Sequence, residues 1–269
     1  MMSRVLVIVS LCALAACQSV QTTQPGSVGV DRKQSMMVSS ADVNASAAKA
    51  YQQLMAGATQ KGLVNQNAAQ VERVRRIAQR LIPKTSAFRP DAPGWAWETN
   101  VISSKEVNAW CMPGGKIAVY TGLIERLQAT DDELAAVMGH EIAHALREHG
   151  RERVSQAQAQ GMIIGVLGAV AGVSQGGMNM TQLLVDLTLN KPNSREHEVE
   201  ADRIGVELAA RAGYDPRGAI SLWEKMAKLG GGQPPEFLST HPSPSNRIAD
   251  LKVYSARVMP LYEAARSKR

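Results

Sequence analysis

The stretch His140-Glu141-Ile142-Ala143-His144 is the part of the chain from which both the fold and the chemistry can be argued. Residues four apart lie on one face of an α-helix, so the imidazoles of His140 and His144 can reach the same ion. Glu141 is then placed to take a proton from a water bound to that ion, as metal-assisted peptide hydrolysis requires. The spacing therefore predicts a helix that carries two metal ligands and a general base.

The neighbouring residues predict that this helix is buried and runs from about Asp131 to Glu148. Thr130 is a favourable N-cap, Glu133 completes a capping box with it, and Gly150 follows the expected end. Apolar residues cover nearly the whole circumference of the helix, as in a core helix. Unpaired polar groups there would cost about 1–3 kcal/mol each, and a metal with its water would remove that cost. The alternative is a pair of core histidines that bond to the backbone.

A catalytic zinc site needs a third protein ligand. His149 follows His140 by nine residues, about half a turn out of phase on a continuous helix, so we predict a surface position for it. The better candidate is Glu198, in a second predicted helix that Ser194 caps. His197, which precedes Glu198, is predicted to be structural.

The carboxylates of this second helix fall on two different faces. Glu198 and Asp202 lie at the edge of the apolar stripe, whereas Glu196 and Glu200 lie on the opposite face and are predicted to be solvated. Because inward carboxylates need partners, we predict Glu198 as the third metal ligand. Asp202 is predicted to accept the N–H of a ligand histidine. Buried salt bridges to Arg195 or Arg247 are the alternative.

These motifs resemble those of the gluzincin metallopeptidase family that contains HtpX, the CAAX-processing proteases and the periplasmic proteins LoiP and BepA. The resemblance rests on residues 139–144, on residues 194–202 with their E-x-E-A-D pattern, and on residues 238–242 followed by Arg247. It covers most of the chain, and the motifs follow one another in the order of that family. The family's third ligand is the first glutamate of E-x-E-A-D, which corresponds to Glu198.

The same resemblance implies roles for two residues near the C-terminus. His241 is expected either to bind zinc as a fourth ligand and hold the enzyme off, or to stabilise the oxyanion of the reaction. Arg247 is a second candidate for contact with the oxyanion. A loop histidine before a proline is the alternative for His241. The chain is expected to be of the short, LoiP-like form.

The N-terminal residues predict export and a lipid anchor. Residues 1–16 combine a basic start, a short apolar run and small residues, which is typical of a secretory signal peptide. The Leu-Ala-Ala-Cys ending resembles a bacterial lipobox, so we expect lipidation of Cys17. An ordinary signal peptide with an incidental cysteine is the alternative. By resemblance to Gram-negative lipoproteins, Gln18 implies the periplasmic face of the outer membrane. Residues 17–40 are predicted to be a lipidated flexible tether, and residues 41–269 a single metallopeptidase domain.

Composition limits the other function classes. The formal charge is 30 − 24 = +6, and no basic stripe with interleaved aromatic residues is present, so we predict no binding to nucleic acid. After removal of the signal peptide and lipidation of Cys17, Cys111 is the remaining cysteine. We therefore expect no intramolecular disulfide, and we predict that Cys111 is a core residue of a strand.

The rest of the sequence predicts a mainly α fold (α+β), with a small β-sheet beside the buried helix. Strands are expected over residues 95–103, 107–112 and 116–120, and an edge strand could take an extended substrate by β-augmentation. Residues 162–173 are apolar but too short to cross a bilayer as a helix. We predict a core helix there or, alternatively, a lid hinged at residues 174–177. Further helices are predicted over residues 41–60, 66–82, 216–229 and from 244 to the C-terminus.

Two functions are compatible with these patterns. The first is a zinc endopeptidase of the bacterial envelope, in which His140, His144 and Glu198 hold one Zn²⁺ and Glu141 is the general base. Its substrates, implied by the family and the location, are misfolded or stalled outer-membrane and periplasmic proteins, and its partner is the outer-membrane protein assembly machinery. The second is a non-proteolytic assembly factor or chaperone whose structural or self-inhibited zinc site has four protein ligands.

Overall fold

The computed structural model describes residues 18–170, 179–229, 235–242 and 246–267, with the backbone alone for residues 163–170. Its strands are β1 (Gln18–Val20), β2 (Gln34–Met36), β3 (Glu98–Ile102), β4 (Ala109–Met112) and β5 (Lys116–Tyr120). Its α-helices are α1 (Ser40–Gln60), α2 (Ala68–Leu81), α3 (Thr121–Arg126), α4 (Asp131–Leu146), α5 (His149–Val170), α6 (Met180–Val185), α7 (Arg195–Arg211), α8 (Gly218–Lys228), α9 (Glu236–Thr240) and α10 (Arg247–Arg266). The prediction of a mainly α fold with small sheets is confirmed.

Helix α4, which carries the histidine motif, begins with the predicted capping box. The Thr130 hydroxyl accepts a hydrogen bond from the N–H of Glu133 at 3.2 Å, and the Glu133 carboxylate accepts one from the N–H of Thr130 at 2.8 Å. Every residue from Glu133 to Leu146 is buried, which confirms a core helix. Because close packing surrounds α4, its side chains have little freedom to move.

Helix α4 ends earlier than predicted. Its C-cap is Arg147, and Glu148 takes a left-handed backbone conformation with φ of 51° before α5 begins at His149. The predicted end at about Glu148 therefore lies two residues beyond Leu146, the last residue of α4. No residue that favours left-handed backbone stands at position 148, so no local signal announces the break.

Helix α7 crosses α4 at two glycines. A Cβ on Gly205 would lie 2.8 Å from the backbone nitrogen of His140, and a Cβ on Gly139 would lie 2.8 Å from the backbone oxygen of Gly205. The two backbones can approach this closely because neither position carries a side chain. The crossing places Glu198, two turns before Gly205, opposite the histidines of α4.

The larger sheet has the order β3-β5-β4 and contacts α4 through β4 and β5. Strand β3 is parallel to β5, and β4 is antiparallel to β5. Gly114 and Gly115 turn the chain between β4 and β5 with φ of 82° and 86°, values that side-chain-bearing residues rarely adopt. Within the described part of the chain, β4 is an edge strand. Cys111 is buried in β4, as predicted.

Residues 18–38 differ from the predicted flexible tether, because they pack on the domain. Strands β1 and β2 pair antiparallel, and the Val28 and Met36 side chains are each 1% exposed. The fully buried amide of Gln34 donates from Nε2 to the backbone oxygen of Arg147 at 2.7 Å. Packing against the domain therefore begins well before the predicted boundary at residue 41. The predicted signal peptide and Cys17 lie outside the described residues.

The apolar stretch at residues 162–173 continues α5 as far as Val170, and the hinge predicted at residues 174–177 lies outside the described residues. The core helix and the lid therefore both stay predictions. Across the described ranges, no helix combines the length and the apolar content needed to cross a bilayer.

Candidate metal centre

Four side chains from three separate parts of the chain converge beside the middle of α4. His140 and His144 come from α4, Glu198 from α7, and His241 from the C-cap of α9. One donor atom of each lies within 4.8 Å of the donor atoms of the others, and all four residues are buried. The structure thus brings the three predicted metal ligands together with the histidine that resemblance placed beside them.

The ring of His140 is oriented by a carboxylate on α7. Its Nδ1 lies 2.9 Å from Oδ1 of Asp202, so Nδ1–H donates there, and when the ring is neutral its Nε2 directs a lone pair into the centre. Asp202 therefore occupies the position predicted for it. Burial lowers the pKa of His140, but the charge of Glu198 and the hydrogen bond to Asp202 outweigh burial and raise it to about 9.

The ring of His144 is oriented by a second histidine. Its Nδ1 lies 2.8 Å from Nδ1 of His149, whose Nε2 lies 3.0 Å from Oε2 of Glu200. His149 is 1% exposed, so the predicted surface position is wrong. The reason is the break at Glu148, after which the helical phase of α4 no longer applies. Burial lowers the pKa of His144 to about 4 and holds the pKa of His149 well below its ordinary value.

Glu200 is buried as well, in contrast to its predicted solvated position. Residues 18–38 cover this face of α7, and Nε of Arg32 and Nε of Arg147 donate to the Glu200 carboxylate at 2.6 and 2.8 Å. Glu196 on the same face stays exposed, as predicted. His197 is buried with Nε2 3.0 Å from Glu152, a contact consistent with the predicted structural role.

The donor atoms of the centre fit a cation. When the rings of His140 and His144 are neutral, their Nε2 lone pairs face each other at 3.0 Å. Oε1 of Glu198 is buried without a hydrogen bond and lies 3.3 Å from Nε2 of His144. Burial raises the pKa of Glu198, but the histidine charges around it outweigh burial and hold the pKa well below 4.5. Converging lone pairs and an anionic oxygen need a positive charge among them. Two imidazoles and a carboxylate are donors that zinc accepts.

Glu141 lies on the same side of α4 as the donor atoms and faces a cleft of about 610 Å³. Its carboxylate is buried and accepts a hydrogen bond from the backbone of Cys111 on the edge strand β4. Burial, the largest influence, raises the pKa of Glu141 to about 8. A carboxylate of this basicity can take and release a proton near neutral pH.

His241 presents Nε2 to both Glu141 and the donor atoms. Its Nδ1–H donates to the backbone oxygen of Phe237 at 3.1 Å, so Nε2 keeps a lone pair and lies 3.3 Å from Oε1 of Glu141. The ring also stacks on Phe237, with centroids 4.1 Å apart. His241 is thus rigidly held within reach of the centre, and burial holds its pKa well below the ordinary value.

Arg247 lies behind the ligands and does not line the cleft. Its Nη2 donates to Oε2 of Glu198 at 3.1 Å and to Oδ1 of Asp202 at 2.6 Å, and its guanidinium lies 3.5 Å from the ring centroid of Trp223. This placement fits an arginine that neutralises and orients the two carboxylates. It does not fit the predicted contact with an oxyanion.

Comparison with known protein families assigns the chain. A model described as peptidase family M48 matches residues 68–255, a stretch that contains the helix of the histidine motif, the third candidate ligand and His241. The chain belongs to peptidase family M48. The family confirms the predicted resemblance to LoiP and BepA.

Several curated M48 relatives are similar to the chain. The mitochondrial metalloendopeptidase OMA1 of Arabidopsis thaliana is 40% identical over 165 residues, which are 61% of this chain and 33% of the relative. The OMA1 protein of Saccharomyces cerevisiae is 35% identical over 178 residues, 63% of this chain and 50% of the relative. The metalloprotease LoiP of Escherichia coli is 29% identical over 241 residues, 89% of this chain and 90% of the relative.

The two groups of relatives differ in how they match. Identity is higher to the OMA1 proteins, but the chain spans between 33% and 50% of the length of those from plant and yeast. The sequence motifs alone did not indicate this resemblance. LoiP is less identical and is matched over nearly its whole length. The beta-barrel assembly-enhancing protease of E. coli is 28% identical over 183 residues, 60% of this chain and 35% of the relative.

Proposed function

We propose that the chain is a zinc-dependent endopeptidase. The observation that carries this proposal is the convergence of His140, His144 and Glu198 next to Glu141 on the wall of a cleft. Membership of peptidase family M48 supports it, as do the names of the relatives, which include a metalloendopeptidase and a metalloprotease.

The residues of the centre have separate roles in the proposed hydrolysis. His140, His144 and Glu198 would hold the zinc, which when bound would supply a water with a pKa of about 7 and polarise the substrate carbonyl. Glu141 would take a proton from the attacking water at a carboxylate oxygen and return the proton to the leaving amine. The N–H of Cys111 holds the Glu141 carboxylate in place at the cleft.

Strand β4 gives the cleft a way to hold an extended chain. Residues of β4 line the cleft, and in the described part of the molecule only β5 pairs with β4. A substrate that adds to this edge would be held by backbone hydrogen bonds, which carry little sequence specificity. Unfolded or locally extended proteins are therefore the substrate class that we propose.

Digestion of a denatured protein by the zinc-loaded chain tests this function. Glu141→Gln is expected to keep one bound zinc and to lose hydrolysis, because the amide cannot take the proton. Glu224→Gln, an exposed carboxylate on α8, is the matched control and is expected to cleave like the wild type. Hydrolysis that persists in Glu141→Gln would reject the assignment.

A second function, a non-proteolytic assembly factor or chaperone, is favoured by the position of His241. With His241 in the donor set, the centre can have four protein ligands, as structural zinc sites do. In the peptidase the same ring would be a resting ligand or would stabilise the oxyanion. Increased hydrolysis in His241→Ala would favour a peptidase with a resting ligand. Absence of hydrolysis in every variant, together with unfolding on zinc removal, would favour the assembly factor.

We also propose that the chain acts in the bacterial envelope, anchored through a lipid on Cys17 to the periplasmic face of the outer membrane. The cysteine motif, the long match to LoiP and the match to a beta-barrel assembly-enhancing protease support this location, whereas the OMA1 relatives are named as mitochondrial. Misfolded envelope proteins and the outer-membrane assembly machinery are the proposed partners. Because β1 begins at Gln18, a lipid on Cys17 would hold the domain close to the membrane.

Labelling with radioactive palmitate tests the anchor. The wild type is expected to incorporate the label and to fractionate with the outer membrane, and Cys17→Ser is expected to do neither. A wild-type protein without label, recovered in the soluble fraction, would contradict the proposed location.

A further inference from the structure

The two histidines of α4 are oriented in different ways. Nδ1 of His140 meets a carboxylate directly, at Asp202. Nδ1 of His144 meets another imidazole, that of His149, at 2.8 Å. Two ring nitrogens at this distance must divide the roles of donor and acceptor, so the proton on one ring determines the proton on the other.

The positions of these two protons follow from the role of Nε2 of His144 as a metal ligand. Nε2 of His144 faces Nε2 of His140 and the carboxylate of Glu198, so it must keep its lone pair to bind a metal. The proton of His144 is then on Nδ1, and Nδ1 of His149 is the acceptor. In a neutral ring this places the proton of His149 on Nε2, which lies 3.0 Å from Oε2 of Glu200 and donates to it.

We propose that His149 is a positioning residue of the metal centre, which fixes the ring and the tautomer of His144 and links that ring to the carboxylate of Glu200. Histidines that bind metals normally donate their second N–H to an outer partner, which orients the ring and raises its basicity. Here the outer partner of His144 is His149, which in turn donates to the carboxylate of Glu200. The inference rests on the proposed function only in requiring that His144 binds the metal.

Residues 18–38 complete this arrangement from outside. Arg32 donates from Nε to Oε1 of Glu200 at 2.6 Å, while Arg147 donates from Nε to Oε2 at 2.8 Å. Arg32 also pairs with Glu152 at 2.7 Å, which fixes its guanidinium. Residues 18–38 therefore support the metal centre through Arg32, and we expect removal of this arginine to weaken metal binding.

Metal affinity of the full chain is the direct test, measured by chelator competition with Zn²⁺ and with Co²⁺ together with the visible spectrum of the Co²⁺ form. His149→Phe keeps a ring but removes the acceptor, and its affinity is expected to fall about 10- to 100-fold with a changed Co²⁺ spectrum. His149→Gln offers an amide oxygen to Nδ1 of His144 and is expected to recover most of the affinity. Arg32→Gln is expected to lie between the wild type and His149→Phe.

His197 provides the matched control. Its ring stacks on that of His149 with centroids 4.1 Å apart and is also buried, but its Nε2 bonds to Glu152 and not to the ligand histidine. His197→Phe is expected to alter stability and to leave metal affinity and the Co²⁺ spectrum close to those of the wild type. Unchanged affinity in His149→Phe, or an equal loss in His197→Phe, would overturn the proposal.

Nitrogen-15 NMR of the histidine rings covers the case in which a variant does not fold. In the wild-type protein, protons are expected on Nδ1 of His144 and on Nε2 of His149, and the reverse assignment for His149 would overturn the proposal. Neither the affinity nor the tautomers are read from peptide hydrolysis. An inactive protein with the expected tautomers would therefore reject the proposed function and leave the role of His149 standing.

Discussion

At the scale of single residues, spacing and helical phase predict the inner part of the centre, and their failures have two causes. Both methods assume a regular helix and an uncovered outer face. His149 departs from its predicted position because Glu148 breaks the helix. Glu200 departs from it because Arg32 arrives from a segment far away in sequence. The residues that lie where spacing, phase or resemblance predicts are His140, Glu141, His144, Glu198, Asp202 and His241.

Arg247 is expected to be a large contributor to stability, because it is the cation between two buried carboxylates. Its side chain is 1% exposed, and Arg247→Met would leave the carboxylates of Glu198 and Asp202 without their arginine partner. We expect a loss of about 3–5 kcal/mol in the free energy of unfolding of the zinc-free protein, measured in urea. Arg203→Met is the control, since Arg203 also joins α7 to α10, through Asp250, but is 29% exposed. Its loss is expected to be about 0–1 kcal/mol, and equal losses would contradict this account.

At the scale of helices and strands, the local signals are predictable and the crossings are not. The N-caps at Thr130 and Ser194 form as predicted, because each depends on residues within one turn. The crossing of α4 and α7 depends on Gly139 and Gly205, which are far apart in sequence and carry no local signal of their meeting. The sequence therefore does not predict where Glu198 lies relative to the two histidines, and the structure is needed to show it.

The crossing predicts a specific effect of one added methyl group. In Gly205→Ala the new Cβ would meet the backbone of α4 at 2.8 Å, so α7 has to move away. We expect a loss of about 1–3 kcal/mol in stability and weaker zinc binding, because Glu198 moves with α7. Gly57→Ala on α1 has no atom within 4 Å of the added Cβ and is expected to stabilise by about 0.4–1 kcal/mol. Thermal unfolding and zinc titration decide, and a Gly205→Ala protein as stable as the wild type would refute the close crossing.

The capping box of α4 predicts part of the acid sensitivity. Burial raises the pKa of Glu133, but hydrogen bonds from Lys225, the N–H of Thr130 and Ser221 outweigh burial and lower the pKa below 4.5. A pKa depressed by folding means that the carboxylate stabilises the fold above about pH 4.5, and that this stabilisation is lost as the pH falls through the folded pKa. Glu133→Gln is therefore expected to be less stable than the wild type at about pH 7, with a difference that narrows at about pH 3. Urea unfolding at both pH values would contradict the assignment if the difference stayed constant.

At the scale of the whole molecule, residues 18–38 are the part that the sequence does not predict. Their content of Ser, Gln, Thr and Val, without a helical period, is typical of a tether. Short strands such as β1 and β2 become stable through a surface that lies elsewhere in the chain, and no local pattern reports that surface. The same segment supplies Arg32, which is why the outer part of the metal centre also escapes prediction.

Two neighbouring methionines can test whether residues 18–38 pack on the domain or form a flexible tether. Met36 is 1% exposed, whereas Met37 is half-buried. Met36→Ala is expected to lose about 2–5 kcal/mol of stability in urea unfolding, and Met37→Ala clearly less. A flexible tether requires no loss in either variant, so equal stability of both proteins and the wild type would contradict the packed arrangement.

The central claim is that one ion is held jointly by α4 and α7. Crystals of the zinc-loaded protein, with anomalous diffraction recorded at the zinc absorption edge, test the claim most directly. We expect one anomalous peak at about 2.0–2.2 Å from Nε2 of His140, Nε2 of His144 and a carboxylate oxygen of Glu198. A peak at another place, or a zinc ion bound to the histidines while Glu198 points away, would contradict it.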